Sequence, residues 1–551
     1  MAELADALDL GSSRETYRGS NPLSRTILFK KHPFLPGLCG SGEQGGINKE
    51  IMTRDLFDKE RLPTSVDAFL HDTNPWWQGK PGPVIPSYRR WAFHSTLKKL
   101  KSGLAPAVVL RGPRQVGKTT LQLQMIEYLI REEGVRPNRI LRVQFDEIPS
   151  LSGLNEPILT IARWFENRIL EDTFNKVARQ NLPAFLFFDE VQNLSDWAPQ
   201  LKALTDHHTV KVLVTGSSAL RIEAGRDSLA GRVAQVDLGT LLPREIIAMR
   251  FGEEFQPILP ENGLEALLHA DFWHNLQSSG KNRISLRDKG FKEFSQRGGY
   301  PIAHAHPNTP WAEIADQLNE TVIQRAIQHD LRVGRKGQKR DQQLLEEVYR
   351  LCCRYAGQSP GQGIFVPEIR QALQANIGWN RILAYLKFLD GAMLLRLVRP
   401  LELRLKRSKG NSKICLCDHG LRASWLQEVI PLDVEGLRQS SHLSDLAGHI
   451  AESATGYFLG GIPHLDLAHF PERGAEPEVD FILTVGQNRI PLEVKYRQHI
   501  DPHRDTVGLR AFIEKRVYNA PFALLVTMLD DVFIPDPRII SVSLPSLLLL
   551  R

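Results

Sequence analysis

Cysteine is scarce in this chain of 551 residues, and its cysteines show no pattern that indicates a function. There are five of them, an odd number, and no pair has the spacing of zinc ligands: Cys39, Cys352, Cys353, Cys415 and Cys417. A disulfide framework or a zinc site is therefore not expected. The composition instead favours buried thiols in a reducing compartment.

Long apolar runs and a leader sequence are lacking too. The C-terminal SLLLLR is far too short to span a membrane. The amino-terminal MAELADALDLGSS has no basic region followed by an apolar one, so we expect no signal peptide. These absences predict a cytoplasmic protein that does not associate with membranes.

The overall composition is that of a globular protein. Hydrophobic residues make up 42% of the chain and charged residues 24%, and the length corresponds to about three or four domains. The formal net charge of +6 is small for this length. Charge alone therefore indicates neither a nucleic-acid partner nor a membrane partner, and local clusters matter more.

Short apolar strands alternate with helical segments between residues 76 and 245. The strands AVVL, ILRVQF, AFLFF, VKVLVTG and VAQVDL are each bounded by polar or turn residues. This pattern is typical of buried strands in a parallel α/β sheet. We interpret residues 1–75 as an extension, and residues 246–340 are predicted to be mostly helical.

A phosphate-binding loop follows the first strand. RGPRQVGKTT lies between a strand and a helical segment and matches G-x-x-x-x-G-K-[ST]. Glycines allow backbone N–H groups to face phosphates, the lysine contacts the β- and γ-phosphates, and the threonine hydroxyl binds Mg²⁺. The predicted ATP-binding residues are Gly112, Pro113, Arg114, Gln115, Val116, Gly117, Lys118, Thr119 and Thr120. Lys118 is also predicted to be catalytic, and Thr119 to be a metal ligand.

The strand AFLFF ends in two acids about 70 residues after this loop. Asp189 is predicted to hold Mg²⁺, and Glu190 to orient and deprotonate the attacking water. Ser217 or Ser218, after the next strand, would sense the γ-phosphate, although a plain turn of small residues is an equal alternative. Arg232 is either an arginine finger or one half of a surface salt bridge.

Seven motifs occur together between about 105 and 500: LRGPRQVGKTTL, FFDEVQNLSDW, LVTGSSALRI, SLAGRV, RGGYP, KICLCDHGL and VDFIL…IPLEVKYR. In this order, the chain resembles bacterial and archaeal AAA+ ATP-binding proteins whose C-terminal half is a domain of unknown function related to PD-(D/E)xK nucleases. The resemblance implies a P-loop domain of the AAA+ (ASCE) type at 76–245 and a helical lid at 246–340. It also implies a winged helix at 341–425 and an α/β restriction-endonuclease-like domain at 426–551.

The winged-helix region has two helical segments followed by a predicted hairpin. Leu401, Leu403 and Leu405 alternate with charged residues, and the turn is basic. Winged helices bind DNA or other proteins, and a charged hairpin tip is normally solvated. We predict nucleic-acid contact through the basic stretches 332–340 and 404–413, driven by phosphates and sensitive to salt.

The C-terminal motif carries acids and a lysine on neighbouring strands. Glu493 and Lys495 fall on one face of a strand because side chains alternate, and Asp480 lies on the strand before. A PD-(D/E)xK nuclease needs two acids and a lysine around Mg²⁺. Asp480 and Glu493 are predicted metal ligands and, with Lys495, catalytic residues. Glu452 would complete the metal set, with Glu478 as an alternate ligand. A hairpin with a solvated polar face is the other interpretation. Asp418 is interpreted as structural.

The sequence thus predicts a Mg²⁺-dependent ATPase whose nucleotide state controls its C-terminal region, with nucleic acid as the expected partner. An ATP-regulated nuclease and a non-cleaving, nucleotide-dependent regulator or adaptor are the alternatives. The sequence leaves open whether the protein forms a homo-oligomer. The oligomeric state would decide whether Arg232 acts within its own subunit or on a neighbour.

Overall fold

The computed structural model describes residues 62–147, 154–194, 196–216, 229–260, 263–330, 341–402 and 410–551. Residues 1–61 of the predicted extension 1–75 therefore lie outside the described residues. So do Cys39, Ser217, Ser218 and the basic stretch 332–340, together with residues 404–409 of the second basic stretch, 404–413. Residues 62–75 contain the helix Thr64–Thr73, whose buried Val66 and Leu70 pack into the core of the sheet region.

The P-loop region is built on a parallel sheet of five strands. In chain order its elements are α1 (Thr64–Thr73), α2 (Ala92–Ser102), β1 (Ala107–Arg111), α3 (Lys118–Arg131), β2 (Ile140–Gln144), α4 (Pro157–Phe165), α5 (Phe174–Arg179), β3 (Phe185–Asp189), α6 (Trp197–His207), β4 (Lys211–Gly216) and β5 (Val233–Asp237). The strand order is β2-β3-β4-β1-β5, and all pairs are parallel. The predicted parallel α/β sheet is thereby confirmed.

Both faces of this sheet are covered by apolar side chains, as the continuous apolar strands require. One face packs with α4 and α6 around residues such as Leu186 and Phe188. The other packs against α2 and α3 around Phe93 and Leu213. The aromatic segment before α2 also belongs to this region, because the indoles of Trp76 and Trp77 both donate hydrogen bonds to the carbonyl of Ile140.

Helices make up most of the next part of the chain. They are α7 (Pro243–Phe251), α8 (Ala270–Asn282), α9 (Ile284–Arg297), α10 (Pro301–Ala305), α11 (Trp311–Leu318), α12 (Gln342–Arg354), α13 (Gln362–Leu373) and α14 (Trp379–Gly391). Asn319–Gln324 and Ala326–Asp330 continue α11 as π-helical turns. Buried Trp273 and Phe291 pack α8 and α9 into the C-terminal core. Helices α8 and α9 of the predicted lid thus pack into the C-terminal core, whereas Met249, Ile302 and Arg325 of the same range line a cleft beside the phosphate loop.

A mixed sheet of seven strands forms the C-terminal region. Its elements are β6 (Leu395–Pro400), β7 (Lys413–Leu416), α15 (His419–Leu426), α16 (Val434–Gln439), α17 (Ser444–Gly460), β8 (Asp466–Phe470), β9 (Val479–Val485), β10 (Asn488–Lys495), α18 (Val507–Glu514), β11 (Ala523–Thr527), β12 (Ile539–Ser543) and α19 (Leu544–Leu547). The strand order is β12-β11-β10-β9-β8-β6-β7.

The predicted wing therefore belongs to the C-terminal sheet. Strand β6 pairs with β7 in antiparallel fashion and with β8 in parallel, with Arg399 opposite Ala468. A separate winged-helix domain ending at 425 is not confirmed, because the strands predicted as its wing continue the sheet of the next region. The buried thiols of Cys352, Cys353, Cys415 and Cys417 are free, as predicted.

Candidate functional site

The phosphate loop connects β1 to α3 and has the backbone that its glycines predict. Gln115 and Gly117 have positive φ angles of 62° and 93°. A Cβ atom on Gly112 would lie 2.1 Å from the carbonyl oxygen of Leu238, so only glycine fits there. The loop therefore takes its tight conformation at the amino terminus of α3, where anions bind favourably.

Lys118 and Thr119 begin α3 and point toward the loop and β3. The Lys118 ammonium donates to the carbonyl oxygens of Gly112 (3.0 Å) and Pro113 (2.8 Å). The Thr119 hydroxyl donates to Asp189 Oδ2 at 2.9 Å. A threonine hydroxyl beside a buried carboxylate is the donor set that Mg²⁺ requires in P-loop proteins, so these two residues fit the predicted metal.

Asp189 ends β3 and receives hydrogen bonds from three neighbouring elements. Besides Thr119, the hydroxyl of Thr215 donates to Oδ1, and Arg142 Nη2 lies 3.4 Å from Oδ2. The next residue, Glu190, has a φ of 51°, and its N–H donates to Thr215 Oγ1 at 3.3 Å. The paired acids are thus held in a fixed relation to the phosphate loop.

A cleft of about 440 Å³ lies beside these groups. The phosphate loop, Asp189 and Glu190 form part of its walls. Segments that precede α2 and that follow β5 in the chain also line it. Pro86 and Tyr88 contribute from the segment before α2, Met249 from α7, and Arg325 from between the two π-helical turns after α11. The dimensions suit a nucleotide, since small-molecule sites span roughly 300–1,000 Å³.

The acids in this cleft influence one another. Burial raises the pKa of Asp146, and the negative charge of Glu190 raises it further. Asp146 follows β2 and lines the same cleft as Glu190. A bound cation would therefore meet a locally acidic wall next to the basic loop.

Three polar residues around the site were not predicted from the sequence. Thr215 makes the contact with Asp189 from β4, the strand after which Ser217 was expected to act. Arg142 interrupts an otherwise apolar strand and reaches Asp189 through a nearly buried side chain. Arg90 joins the loop to the linker after β5, donating to the carbonyls of Val116 (2.8 Å) and Gly239 (2.9 Å). For Thr215 and Arg142, the signal available in the sequence was a polar residue within an apolar strand.

Arg232 lies far from the phosphate loop. Strands β1 and β5 are parallel, with Ala107 opposite Val233, so Arg232 is at the edge where β1 begins. The loop starts at the opposite edge, about 17 Å away along the strand. Arg232 Nε instead contacts Asp206 Oδ1 at 2.6 Å. The structure thus shows the predicted salt bridge and no contact of Arg232 with the nucleotide cleft of its own chain.

The C-terminal candidate residues do come together. The Val494 N–H donates to Asp480 Oδ2 at 2.9 Å, and the Asp480 N–H lies 3.4 Å from Glu493 Oε2. Lys495 Nζ contacts Glu493 Oε1 at 2.5 Å. Strands β9 and β10 therefore bring Asp480, Glu493 and Lys495 into one cluster, as their alternation predicts.

A lysine lies where the metal was expected. Lys413 Nζ, at the start of β7, is 2.9 Å from Asp480 Oδ1, hydrogen-bonds to Glu452, and is 3.7 Å from Glu478 Oε1. Within the described ranges, no group of three or more His, Cys, Asp and Glu side chains is arranged to hold a metal ion. An internal ammonium thus pairs with Glu452 and Asp480, two of the three predicted ligands, in the space where the metal was predicted.

Lys413 also corrects the prediction of a basic wing. It was expected at a solvated hairpin turn, but its side chain is only 2% exposed. Residues 332–340 and 403–409 lie outside the described residues, so nucleic-acid contact through them stays a prediction. Asp418, interpreted as structural, caps α15 by accepting from the Leu421 N–H at 2.9 Å.

The carboxyl groups of this cluster differ strongly in pKa. For Asp480, burial acts to raise the pKa, but Lys413 and the Val494 N–H outweigh it and lower the pKa to about 2. For Glu493, burial and then the charge of Asp480 raise the pKa to about 8. Burial and Asp480 also raise the pKa of Glu452. Asp480 thus carries the charge, and its acidic neighbours tend to hold protons.

The fold and the first site together are those of a nucleotide-binding P-loop domain. A family model described as an AAA domain matches residues 105–247. A second, described as a domain of unknown function (DUF8612), matches residues 288–430. Neither matched range reaches the predicted nuclease residues on β9 and β10.

Two curated relatives are similar over part of the chain. An uncharacterized protein of Haemophilus influenzae is 23% identical over 325 residues, which cover 57% of this chain and 68% of the relative. An uncharacterized protein of Methanocaldococcus jannaschii is 22% identical over 255 residues, which cover 46% of this chain and 49% of the relative. The chain thus spans about two thirds of the first relative and about half of the second.

Two solved structures show weaker similarity. The S. cerevisiae Hsp104–ADP complex aligns at 14% identity and a TM-score of 0.25, covering 58% of this chain and 41% of that one. Domain III of the Thermotoga maritima replication initiation protein DnaA aligns at 15% identity and a TM-score of 0.21, covering 44% and 95%. At these TM-scores neither likeness bears on the fold. In the part of the chain that is described, no helix is long and apolar enough to cross a membrane.

Proposed function

We propose that this protein is a Mg²⁺-dependent ATPase. The observation that supports the proposal most directly is the contact of Asp189 with both Thr119 and Thr215, which joins the phosphate loop to the ends of two neighbouring strands. Binding alone needs only the loop. A buried aspartate followed by an acid in a fixed backbone conformation is the arrangement that hydrolysis requires.

The residues have separate roles in this proposal. Backbone N–H groups of the loop and the Lys118 ammonium bind the β- and γ-phosphates of ATP, and Thr119 and Asp189 hold Mg²⁺. The metal would offset charge on the phosphate oxygens. Glu190 orients the attacking water and accepts its proton. Thr215 positions both acids, because its hydroxyl donates to Asp189 and accepts from the Glu190 N–H.

ATP turnover and ATP binding, measured for the wild type and for Lys118→Ala, test this proposal. We expect turnover to fall by about 100-fold or more and binding to weaken, because the phosphates lose their lysine. Lys101→Ala is the matched control, since Lys101 is half-exposed and pairs with Glu133 instead. An unchanged turnover in Lys118→Ala would contradict the proposal.

The nucleotide state is proposed to reach the C-terminal region through the linker after β5. Arg90 joins the loop carbonyl of Val116 to the linker carbonyls of Gly239 and Thr240 and pairs with buried Glu245. The Thr240 hydroxyl then donates to the carbonyl of Cys417 at 3.2 Å. Loop and linker are therefore bonded to each other and to the end of the hairpin that carries Lys413.

Hydrogen exchange tests this connection. A non-hydrolysable ATP analogue should slow amide exchange at residues 239–241 and 416–421 in the wild type, because it orders the loop to which Arg90 is bonded. Lys118→Ala, which binds the analogue weakly, is the control and should show no such change at the same concentration. Binding without any change at these amides would contradict the coupling while leaving the ATPase proposal intact.

Between the two alternatives for the C-terminal region, the contacts of Lys413 favour the non-cleaving regulator or adaptor. A nuclease of the predicted type needs Mg²⁺ between its acids, and here two of those acids pair with an ammonium. We therefore expect no cleavage of plasmid or single-stranded DNA with Mg²⁺ or Mn²⁺, with or without ATP. Cleavage that Asp480→Ala abolishes would instead establish an ATP-regulated nuclease.

A further inference from the structure

The position of Lys413 is fixed by the fold rather than by a flexible side chain reaching inward. Val398 on β6 is paired with Lys413 on β7, and every residue of β7 is buried. The Leu416 N–H donates to Ser453 Oγ at 2.8 Å, which holds α17 and its Glu452 against this strand. Strand β7, helix α17 and strand β9 therefore bring the Lys413 ammonium together with the carboxylates of Glu452 and Asp480.

The ammonium contacts the groups that a divalent cation would use. Its hydrogen-bond partners include Glu452 and Asp480, with Glu478 a little further away. The ring of Phe481 closes another side, 5.1 Å from Nζ. A metal ion bound to the same carboxylate oxygens at 2.0–2.6 Å would overlap the ammonium and be repelled by its charge.

The carboxyl groups of the cluster are paired without a metal. Lys413 Nζ bonds to Glu452 and Asp480, and Lys495 Nζ contacts Glu493 Oε1 at 2.5 Å. Two ammonium groups therefore pair with the three carboxyl groups. An uncompensated set of buried carboxylates would instead demand an external cation.

We infer that the Lys413 ammonium takes the place of a divalent cation in this cluster, and that removing it uncovers a latent Mn²⁺ or Mg²⁺ site formed by Glu452, Asp480 and Glu493. The inference extends the non-cleaving assignment of the C-terminal region. It does not depend on ATP hydrolysis, because the cluster and the phosphate loop share no residue.

Mn²⁺ binding to the nucleotide-free protein, followed by the electron paramagnetic resonance signal of free Mn²⁺, tests the inference. Wild type and Asp480→Asn should bind the same amount, since neither has a site in the cluster. Lys413→Ala should bind about one more Mn²⁺ per chain. The double variant Lys413→Ala/Asp480→Asn should lose that extra ion.

Lys495→Met is the matched control for removal of a positive charge. It takes away the other lysine of the cluster but leaves the Lys413 ammonium in place, so no additional Mn²⁺ is expected. In a separate thermal unfolding measurement, Mg²⁺ should raise the midpoint of Lys413→Ala by more than that of the wild type.

Two results would overturn the inference. One is Mn²⁺ bound to the wild type and lost in Asp480→Asn, which would show that a metal displaces Lys413. The other is a Lys413→Ala protein with the wild-type circular dichroism spectrum that takes up no extra Mn²⁺. If Lys413→Ala does not fold, the comparison of wild type with Asp480→Asn still shows whether a metal displaces Lys413 in the wild-type cluster.

Discussion

The phosphate-loop site and the C-terminal cluster use similar residues in different ways. In both, a buried aspartate lies on a strand, an additional acid lies nearby, and a lysine lies within reach. At the first site the lysine bonds to backbone carbonyls of its own loop, and a cleft of about 440 Å³ opens beside it. At the second the lysine is buried as well, but it bonds directly to the acids.

This difference shows that residue types and spacing do not determine which groups a buried acid is paired with. Asp189 is bonded by uncharged hydroxyl groups and, at longer range, by Arg142, and it lines the cleft beside the phosphate loop. Asp480 is neutralised from within by Lys413. The first arrangement suits chemistry on a ligand, and the second suits a stable junction between strands.

Removing the Lys413 charge should have the largest effect. In Lys413→Met, the carboxylates of Glu452 and Asp480 lose their buried partner, which costs about 3–5 kcal/mol of the free energy of unfolding. Urea unfolding at neutral pH without divalent ions measures this loss. Lys292→Met is the control, because Lys292 pairs with Glu435 at the exposed surface, and it should change stability little. Equal effects of the two substitutions would mean that the cluster does not stabilise the fold.

Glu190→Gln should separate ATP binding from hydrolysis at the other site. The amide keeps the size of the side chain but cannot accept a proton, so we expect turnover to fall by about 100-fold, equivalent to about 2.7 kcal/mol. ATP affinity should stay within a few-fold. Glu147→Gln, at an exposed acid bonded to Gln144, is the control and should keep wild-type turnover. Normal turnover in Glu190→Gln would assign the proton acceptor to another residue.

The C-terminal cluster should also make stability depend on pH. The pKa of Glu493 is raised to about 8 in the folded protein, so between its ordinary pKa of about 4.3 and 8 the folded state binds more protons than the unfolded state. Its stabilising contribution is complete at low pH and is lost as the pH rises toward 8, by at most about 1.4 kcal/mol per pH unit. Urea midpoints between pH 5 and 9 measure this.

Glu493→Gln provides the comparison for the pH series, since its side chain stays uncharged throughout. In this variant, stability should decline less between pH 5 and 9, because the contribution of Glu493 to the decline is absent. An identical decline in both proteins would place the responsible proton elsewhere in the chain.

Arg232→Ala should have the smallest effect. Arg232 pairs with Asp206 at the edge of the sheet opposite the loop, so we expect ATP turnover to stay within two-fold of the wild type. Asp206→Asn, which removes the other half of the pair, should behave in the same way. A drop of ten-fold or more in Arg232→Ala alone would show that this arginine reaches a nucleotide on a neighbouring chain.

Much of the first site could be predicted because its determinants are local in the chain. The loop, Lys118 and Thr119 are contiguous, and their conformation follows from Gly112 and Gly117 at positions where a side chain would clash or strain the backbone. Asp189 could be found from the apolar strand before it. Thr215 and Arg142 were missed, because a single polar residue in a strand does not reveal which neighbour it contacts.

The C-terminal region was harder to predict because its elements meet from distant parts of the chain. The sequence indicated the face shared by Glu493 and Lys495, and the structure places both beside Asp480. The sequence did not indicate that the predicted wing joins this sheet, through the pairing of β6 with β8. The basic turn suggested a solvated hairpin, whereas the packing of β7 under α17 places Lys413 inside.

By itself the sequence determined the parallel sheet, the phosphate loop and the acids at the end of β3, because short-range patterns and steric limits specify each of them. Only the tertiary structure decided that Arg232 is remote from the loop and that Lys413 neutralises the C-terminal acids. The physical reason is that the effect of a buried charge depends on which groups the fold brings within about 4 Å of it. Residues 413, 452, 480 and 493 become neighbours only after four separate elements have packed.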